Sequence, residues 1–136
     1  MSFWKEGGLT QLADSGDVEG VRRLLDSGVP VDFIENGRFS DSPLQVASRN
    51  GHLAVVTLLL ERGANVNHID NDCFSPVTAA AAARQWKVLR LLAERCGDLQ
   101  RRDATGRSGF DYLGCCRSPR IKAEIDGILA ARTSAL

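Results

Sequence analysis

The chain has 136 residues, 43% hydrophobic but only 6% aromatic, and its 17 basic and 17 acidic side chains cancel to zero formal charge. That length suits one domain with a modest core, while so few aromatics argue against an aromatic-lined ligand pocket and the balanced charge against non-specific nucleic-acid binding. No apolar run approaches the roughly 20 residues of a membrane span, and "MSFWKEGG" has no apolar secretory segment, so an intracellular protein of the cytoplasm or nucleus is expected.

Taken in order, the first pair of elements lies in "GLTQLADSGDVEGVRRLLDSG", with helices expected near 7–14 and 18–27. The second lies in "SPLQVASRNGHLAVVTLLLERGANVN" and explains itself residue by residue. Ser42 fits an N-cap, and Pro43 sits where the first helical turn tolerates a missing N–H. Leu44, Ala47 and Ser48 recur at helical spacing, and the small residues let a second helix approach. Gly51 supplies a positive φ between two helices, at 43–50 and 53–62. Val55, Val56, Leu59 and Leu60 form the apolar stripe of the outer helix, which Gly63 ends. The third pair, opened by "SPVTAAAAAR", is expected at 76–83 and 85–95. The fourth, in "SGFDYLGCCRSPRIKAEIDGILAA", is expected at 109–116 and 119–131.

The landmarks repeat. Pro43 and Pro76 are 33 residues apart, as are Gly63 and Cys96, and the same step from Pro76 reaches Gly109. Gly16 to Gly51 and Gly28 to Gly63 are both 35, so two extra residues lie within 33–42. A period near 33 with these landmarks resembles the ankyrin repeat. The second copy carries the likeness best, through Ser42-Pro43-Leu44-Gln45, Ala47, Gly51-His52, Val55-Val56, Leu58-Leu59-Leu60, Gly63-Ala64 and Val66-Asn67. The resemblance implies a single all-α domain over 1–136, a solenoid of four helix–turn–helix repeats joined by β-hairpin-like loops. The repeats fall at about 3–33, 38–68, 71–102 and 104–134. Arg84 and Arg117 replace the inter-helix glycine, so those corners need another turn geometry or bear strain. Cys73 and Cys96 take the turn and helix-ending glycine positions, and Gly109 replaces the first-turn proline.

Chemistry has few candidates. Cys73, Cys96, Cys115 and Cys116 show no zinc spacing and are expected to be free thiols used as small packing residues. His52 occupies the Gly-His corner common in the family and reads as structural, while His68 near a tip reads as an exposed spectator. No Walker pattern or GxGxxG occurs. No catalytic group, metal or cofactor is therefore expected. A redox protein using vicinal Cys115-Cys116 is the enzymatic alternative.

Binding remains, and the resemblance implies where. Ankyrin arrays meet protein partners on the concave face, made of loop tips and the exposed side of the inner helices. By position, the tips offer Arg38, Phe39 and Asp41, then Ile69, Asn71, Asp72 and Phe74, then Thr105 and Arg107. The inner helices offer Asp14, Ser15, Arg49, Asn50, Ala82, Ala83, Cys115 and Cys116. Phe39 and Phe74 stand out, since a tip in water has no need of Phe; each is either an anchor or folded onto its neighbour. Phe3 and Trp4 are expected to cover the end of the core, and Trp86 to join it. Two short ankyrin families are similar in detail. "GRSGFDYL" resembles the ending of myotrophin-like inhibitors of actin capping protein, and "DATGR" a turn of the ankyrin inhibitors of cyclin-dependent kinases. The latter have a degraded second inner helix, which is the most regular one here. The expected protein is a monomeric scaffold or adaptor with a protein partner, without nucleic acid or membrane.

Overall fold

Eight helices run in four pairs through the residues that the computed structural model describes, 8–34 and 41–134. They are α1 Leu9–Ser15, α2 Val18–Asp26, α3 Pro43–Asn50, α4 Leu53–Glu61, α5 Pro76–Ala82, α6 Trp86–Glu94, α7 Gly109–Leu113 and α8 Pro119–Ser134. The expectations for Phe3, Trp4, Arg38 and Phe39, and for the two-residue lengthening near Asn36-Gly37, lie outside the described residues. Consecutive inner helices pack as α1–α3, α3–α5 and α5–α7, and outer helices as α2–α4, α4–α6 and α6–α8. Among the described residues the only β feature is an isolated bridge between Arg102 and Ser108, so the connecting loops are turns rather than strands.

Serine starts each later inner helix. Ser42 Oγ accepts the Gln45 N–H at 3.1 Å, with Pro43 at the first turn. Ser75 accepts the Thr78 N–H at 3.1 Å, and Thr78 Oγ1 accepts the Ser75 N–H at 2.8 Å, a reciprocal cap. Ser108 and Asp111 repeat that exchange at 3.3 and 2.8 Å. α7 nevertheless stops at Leu113, short of the expected 116. The N–H groups of Cys115 and Cys116 turn back three residues to the carbonyls of Tyr112 and Leu113, tightening the chain out of the helix.

The corners show why glycine recurs. Gly16 and Gly51 have φ of 79° and 76°. A Cβ on Gly16 would stand 2.7 Å from His52 Nδ1, and one on Gly51 would overlap the Gln85 amide. His52 and Gln85 are the same position one repeat apart, and each reaches back to the preceding inner helix. His52 Nε2 lies 2.8 Å from the Asp14 carbonyl, and Gln85 Nε2 donates to the Arg49 carbonyl at 3.3 Å. His52 is a stitch between repeats. A second stitch runs through the loops: Asp32 accepts the Asn65 N–H at 2.9 Å, and Asn67 Oδ1 the Asp98 N–H at 2.8 Å.

Three glycine positions of the repeat keep a positive φ without glycine: Cys73 at 63°, Arg84 at 60° and Cys96 at 65°. Arg117 does not, so the fourth corner takes another geometry. The left-handed region costs a side-chain-bearing residue about 1–2 kcal/mol, against which glycine's greater unfolded-state freedom must be set. Arg84→Gly and Cys96→Gly are each expected to stabilise by about 0.5–1 kcal/mol, read as a higher urea midpoint with unchanged slope. A lower midpoint for both would show that these backbones are unstrained.

The core is a stack of thin layers between the two helix rows. Leu9, Leu44 and Val77 are fully buried from the inner row, and Val55, Val56, Leu59, Leu89, Leu92 and Ile125 from the outer row. Each such aliphatic side chain is worth about 1.5–3 kcal/mol when removed from water. Trp86 is half-buried against this core, as expected. At the last layer, Arg132 of α8 donates to the carbonyls of Gly97 at 3.0 Å and Ala93 at 3.4 Å, placing a cation at the end of α6. Arg90 adds an ion pair to Glu124 at 2.9 Å. The cysteine expectation needs correction. All four thiols are free, but only Cys116 packs in the core, while Cys73, Cys96 and Cys115 are exposed. Cys73 and Cys96 occupy surface turns whose φ, not apolar packing, defines the position.

Candidate functional site

A single aspartate builds each described tip of the later repeats. The Asp70 N–H donates to the Phe74 carbonyl at 2.9 Å, and its Oδ1 accepts the N–H groups of Asp72 and Phe74 at 2.9 and 2.8 Å. Its other oxygen accepts Gln45 Nε2 at 2.6 Å from buried α3. One buried carboxylate therefore folds the tip and ties it to the previous repeat, a charge-assisted arrangement. Asp103, one period later, folds its own tip in the same way but ties it to Tyr112 of the following helix α7. Its Oδ1 accepts the Thr105 N–H at 2.8 Å, the Thr105 hydroxyl and the Arg107 N–H at 3.2 Å, while the Tyr112 hydroxyl donates to Oδ2.

Burial pushes the Asp103 carboxyl up, but bonds from Thr105, Tyr112 and the N–H groups of Arg107 and Thr105 outweigh it and hold the group below its ordinary value. Burial, then the bond to Asp103, pushes the Tyr112 hydroxyl up. A carboxyl depressed by folding stabilises above its unfolded value, and that contribution is lost as pH falls through the folded value. Asp103→Asn is thus expected to destabilise at pH 7 by about 2 kcal/mol, a typical worth of hydrogen bonds to a charged group. The gap to the parent protein should close as pH drops below about 4, where an unfolded Asp takes up its proton. Urea melts at both pH values check this; a gap that widens in acid would contradict it.

Between the second and third repeats the Asp70 tip walls a cleft of about 610 Å³, lined by Asp41, Arg49, Asp70, Asp72, Phe74, Ala79, Ala82 and Ala83. Its origin is legible by period. The α3 positions Val46, Arg49 and Asn50 correspond to Ala79 and Ala82 in α5 and Ala83 at its end, and to Tyr112, Cys115 and Cys116 after them. The third inner helix is cut back to methyl groups where its neighbours carry longer side chains. On one wall Arg49 Nη1 stands 3.5 Å from Asp41 Oδ2, a long contact. Asp41 Oδ1 is buried without a donor. Burial, followed by the neighbouring Asp70 carboxyl, with which only a protonated Asp41 could share a hydrogen bond, pushes Asp41 above the ordinary carboxylate value against the pull of Arg49.

Of the residues named from sequence, Asp41, Arg49, Asp72, Phe74, Ala82 and Ala83 meet in this cleft. Asn71 is exposed on the tip, and Ile69 is half-buried outside the lining. Asn50 is exposed, but its Nδ2 is engaged by Asp14 Oδ1 at 2.5 Å, and Ser15 bonds to the Leu12 carbonyl at 3.1 Å. Thr105 is held by Asp103, and the Arg107 guanidinium lies 5.9 Å over the Tyr112 ring. Cys116 is buried, so it leaves the expected concave surface, with only Cys115 of that vicinal pair exposed. Arg38 and Phe39 lie outside the described residues. Sequence reasoning missed Asp70 and its partner Gln45. The recurrence of Asp at 70 and 103, each three residues before a positive-φ turn position, was the signal that could have found the first. Among the described residues no group of three or more His, Cys, Asp or Glu side chains could hold a metal ion.

The stitched helix pairs with Ser-Pro starts are matched by the family model for ankyrin repeats, in three copies, over residues 9–103. The chain belongs to the ankyrin-repeat family. The fourth helix pair of this ankyrin array lies beyond the matched residues. Among similar proteins, the inactive serine/threonine-protein kinase TEX14 of Mus musculus is 35% identical over 104 residues, covering 76% of this chain and 7% of its own. The probable E3 ubiquitin-protein ligase XBOS33 of Oryza sativa subsp. japonica is 33% identical over 106 residues, covering 76% and 20%. Protein phosphatase 1 regulatory subunit 12A of Mus musculus is 30% identical over 91 residues, covering 67% and 9%. This array thus spans no more than 20% of the length of any of the three. Ankyrin repeats are protein–protein interaction modules, and among the described residues of this one no helix is long and apolar enough to cross a membrane.

Proposed function

We propose that this ankyrin array is a non-enzymatic adaptor, monomeric and intracellular, that binds a protein partner through its concave face at the second and third repeats. The observation that carries the reading is the cleft between those repeats, where Phe74 forms one wall over a floor of alanines. Phe74 would be an apolar anchor, a role that sequence position also gives Phe39, and Arg49 and Asp72 would give flanking polar contacts. The wall is preorganised, because Asp70 fixes the backbone on both sides of it. A surface already ordered loses less entropy on binding. The relatives support a recruiting role, since a kinase named inactive, a ligase and a phosphatase regulatory subunit carry the similar segment within far longer chains. The stretches resembling inhibitors of actin capping protein or of cyclin-dependent kinases build the Asp103 network of the fourth tip, which accounts for them without a particular target.

Site-directed photocrosslinking in native-cell extract tests the face. A photoreactive residue at position 82 should capture a discrete partner, and one at position 61 on α4 should not. Capture from position 61 alone would put the interface on the outer helices.

A further inference from the structure

We propose that the cleft receives a cationic side chain, an arginine or lysine on an exposed segment of the partner, seated between Asp41 and Asp72 against the Phe74 ring. This rests on the concave-face reading and names what that face recognises. Four charged side chains line the cleft, three carboxylates and one guanidinium, a formal balance of −2. Asp70 is consumed by the tip, its oxygens taken by Gln45 and by the N–H groups of Asp72 and Phe74. Asp41 and Asp72 are not. The Asp72 carboxylate makes no hydrogen bond or ion pair with a described residue, its backbone alone being engaged by Asp70 and Ala104. Asp41 has one oxygen buried without a donor and the other 3.5 Å from Arg49.

With Asp41 Oδ1 buried and unmatched, this carboxylate is short of positive charge, and an incoming N–H cation supplies it through the Asp41 Oδ2 atom and the exposed Asp72 carboxylate. The raised proton affinity of Asp41 agrees with this: burial first, then the neighbouring Asp70 carboxyl, outweigh the one nearby positive charge of Arg49. The rest of the lining suits the stem of such a side chain. Ala79, Ala82 and Ala83 offer methyl groups for a run of methylenes, and Phe74 lines the same cleft with an aromatic ring, a group that attracts cations. An anion would meet Asp41 and Asp72 first, and a purely apolar anchor would bury both without a partner. At about 610 Å³ the cleft exceeds one side chain, leaving room for the residues on either side of it.

The test is selection of a phage-displayed library of random 16-residue peptides on the full chain, followed by titration of the enriched peptides. The expected result is one shared Arg or Lys position. Its replacement by citrulline or norleucine should weaken binding at least tenfold, as should Asp72→Asn, an exposed change that leaves the fold intact. The amides of Phe74, Ala82 and Ala83 should shift in nitrogen-15 spectra as peptide is added. Enrichment without a shared basic position, equal binding of the neutral replacements, or no enrichment at all would overturn the proposal. Such neutral peptides still shifting those three amides would leave the concave-face reading standing; peptides shifting only outer-helix amides would remove both.

Discussion

Leu59→Ala is expected to lower the stability of the whole array by about 2–5 kcal/mol, with a fall in Tm on the order of 10 °C. Leu59 is fully buried on α4, which packs on both α2 and α6. The lost methyl groups leave a cavity that neighbouring repeats, tied to one another by their corner stitches, only partly collapse to fill. An array of this kind is stable as a sum of repeats and neighbour interfaces, so damage to a central repeat weakens the interfaces on both sides. Leu53 on the same helix is 39% exposed and supplies the control. Leu53→Ala should stay within about 0.5 kcal/mol of the parent protein. Urea denaturation of the two variants separates them, and equal losses would mean that the layered core is wrongly described.

The second large effect is on binding. Phe74→Ala is expected to weaken a concave-face partner by about 2 kcal/mol or more, roughly thirtyfold in affinity. The tip itself should survive, because Asp70 holds residue 74 through its N–H and Gln45 holds it through its carbonyl. Alanine keeps both groups. A loss of affinity in this variant therefore reports the ring and not a collapsed loop, provided that the melting curve stays close to that of the parent protein.

Much of the fold is legible because ankyrin architecture is written in local signals. The Ser-Pro pairs at 42–43 and 75–76 start helices where caps and N1 prolines dictate, and the expected bounds agree with α3 and α4 to within a residue. Even the anomalies were readable: Cys73 and Cys96 fall on glycine positions by period, and both keep the glycine φ. What was not legible depends on pairs distant in sequence. Gln45 meets Asp70 across 25 residues, and no local pattern announces that a glutamine will hold the next tip. Asn50 looks like free surface from sequence because its partner, Asp14, is identified only once the chain has turned back. The alanine run of α5 was visible as helix; that it floors a cleft required the position of the Asp70 tip above it. Cys116 shows the converse, a residue placed on the concave face by period but buried because α7 ends early.

The most direct test of the central claim is calorimetric titration of the captured partner against the parent protein, Phe74→Ala, Phe39→Ala and Glu61→Ala. Glu61 is exposed on α4, on the outer row. Binding through the concave face predicts roughly thirtyfold weaker affinity for each Phe variant and an unchanged value for Glu61→Ala. Parent-like binding by both Phe variants, with loss in Glu61→Ala, would contradict it.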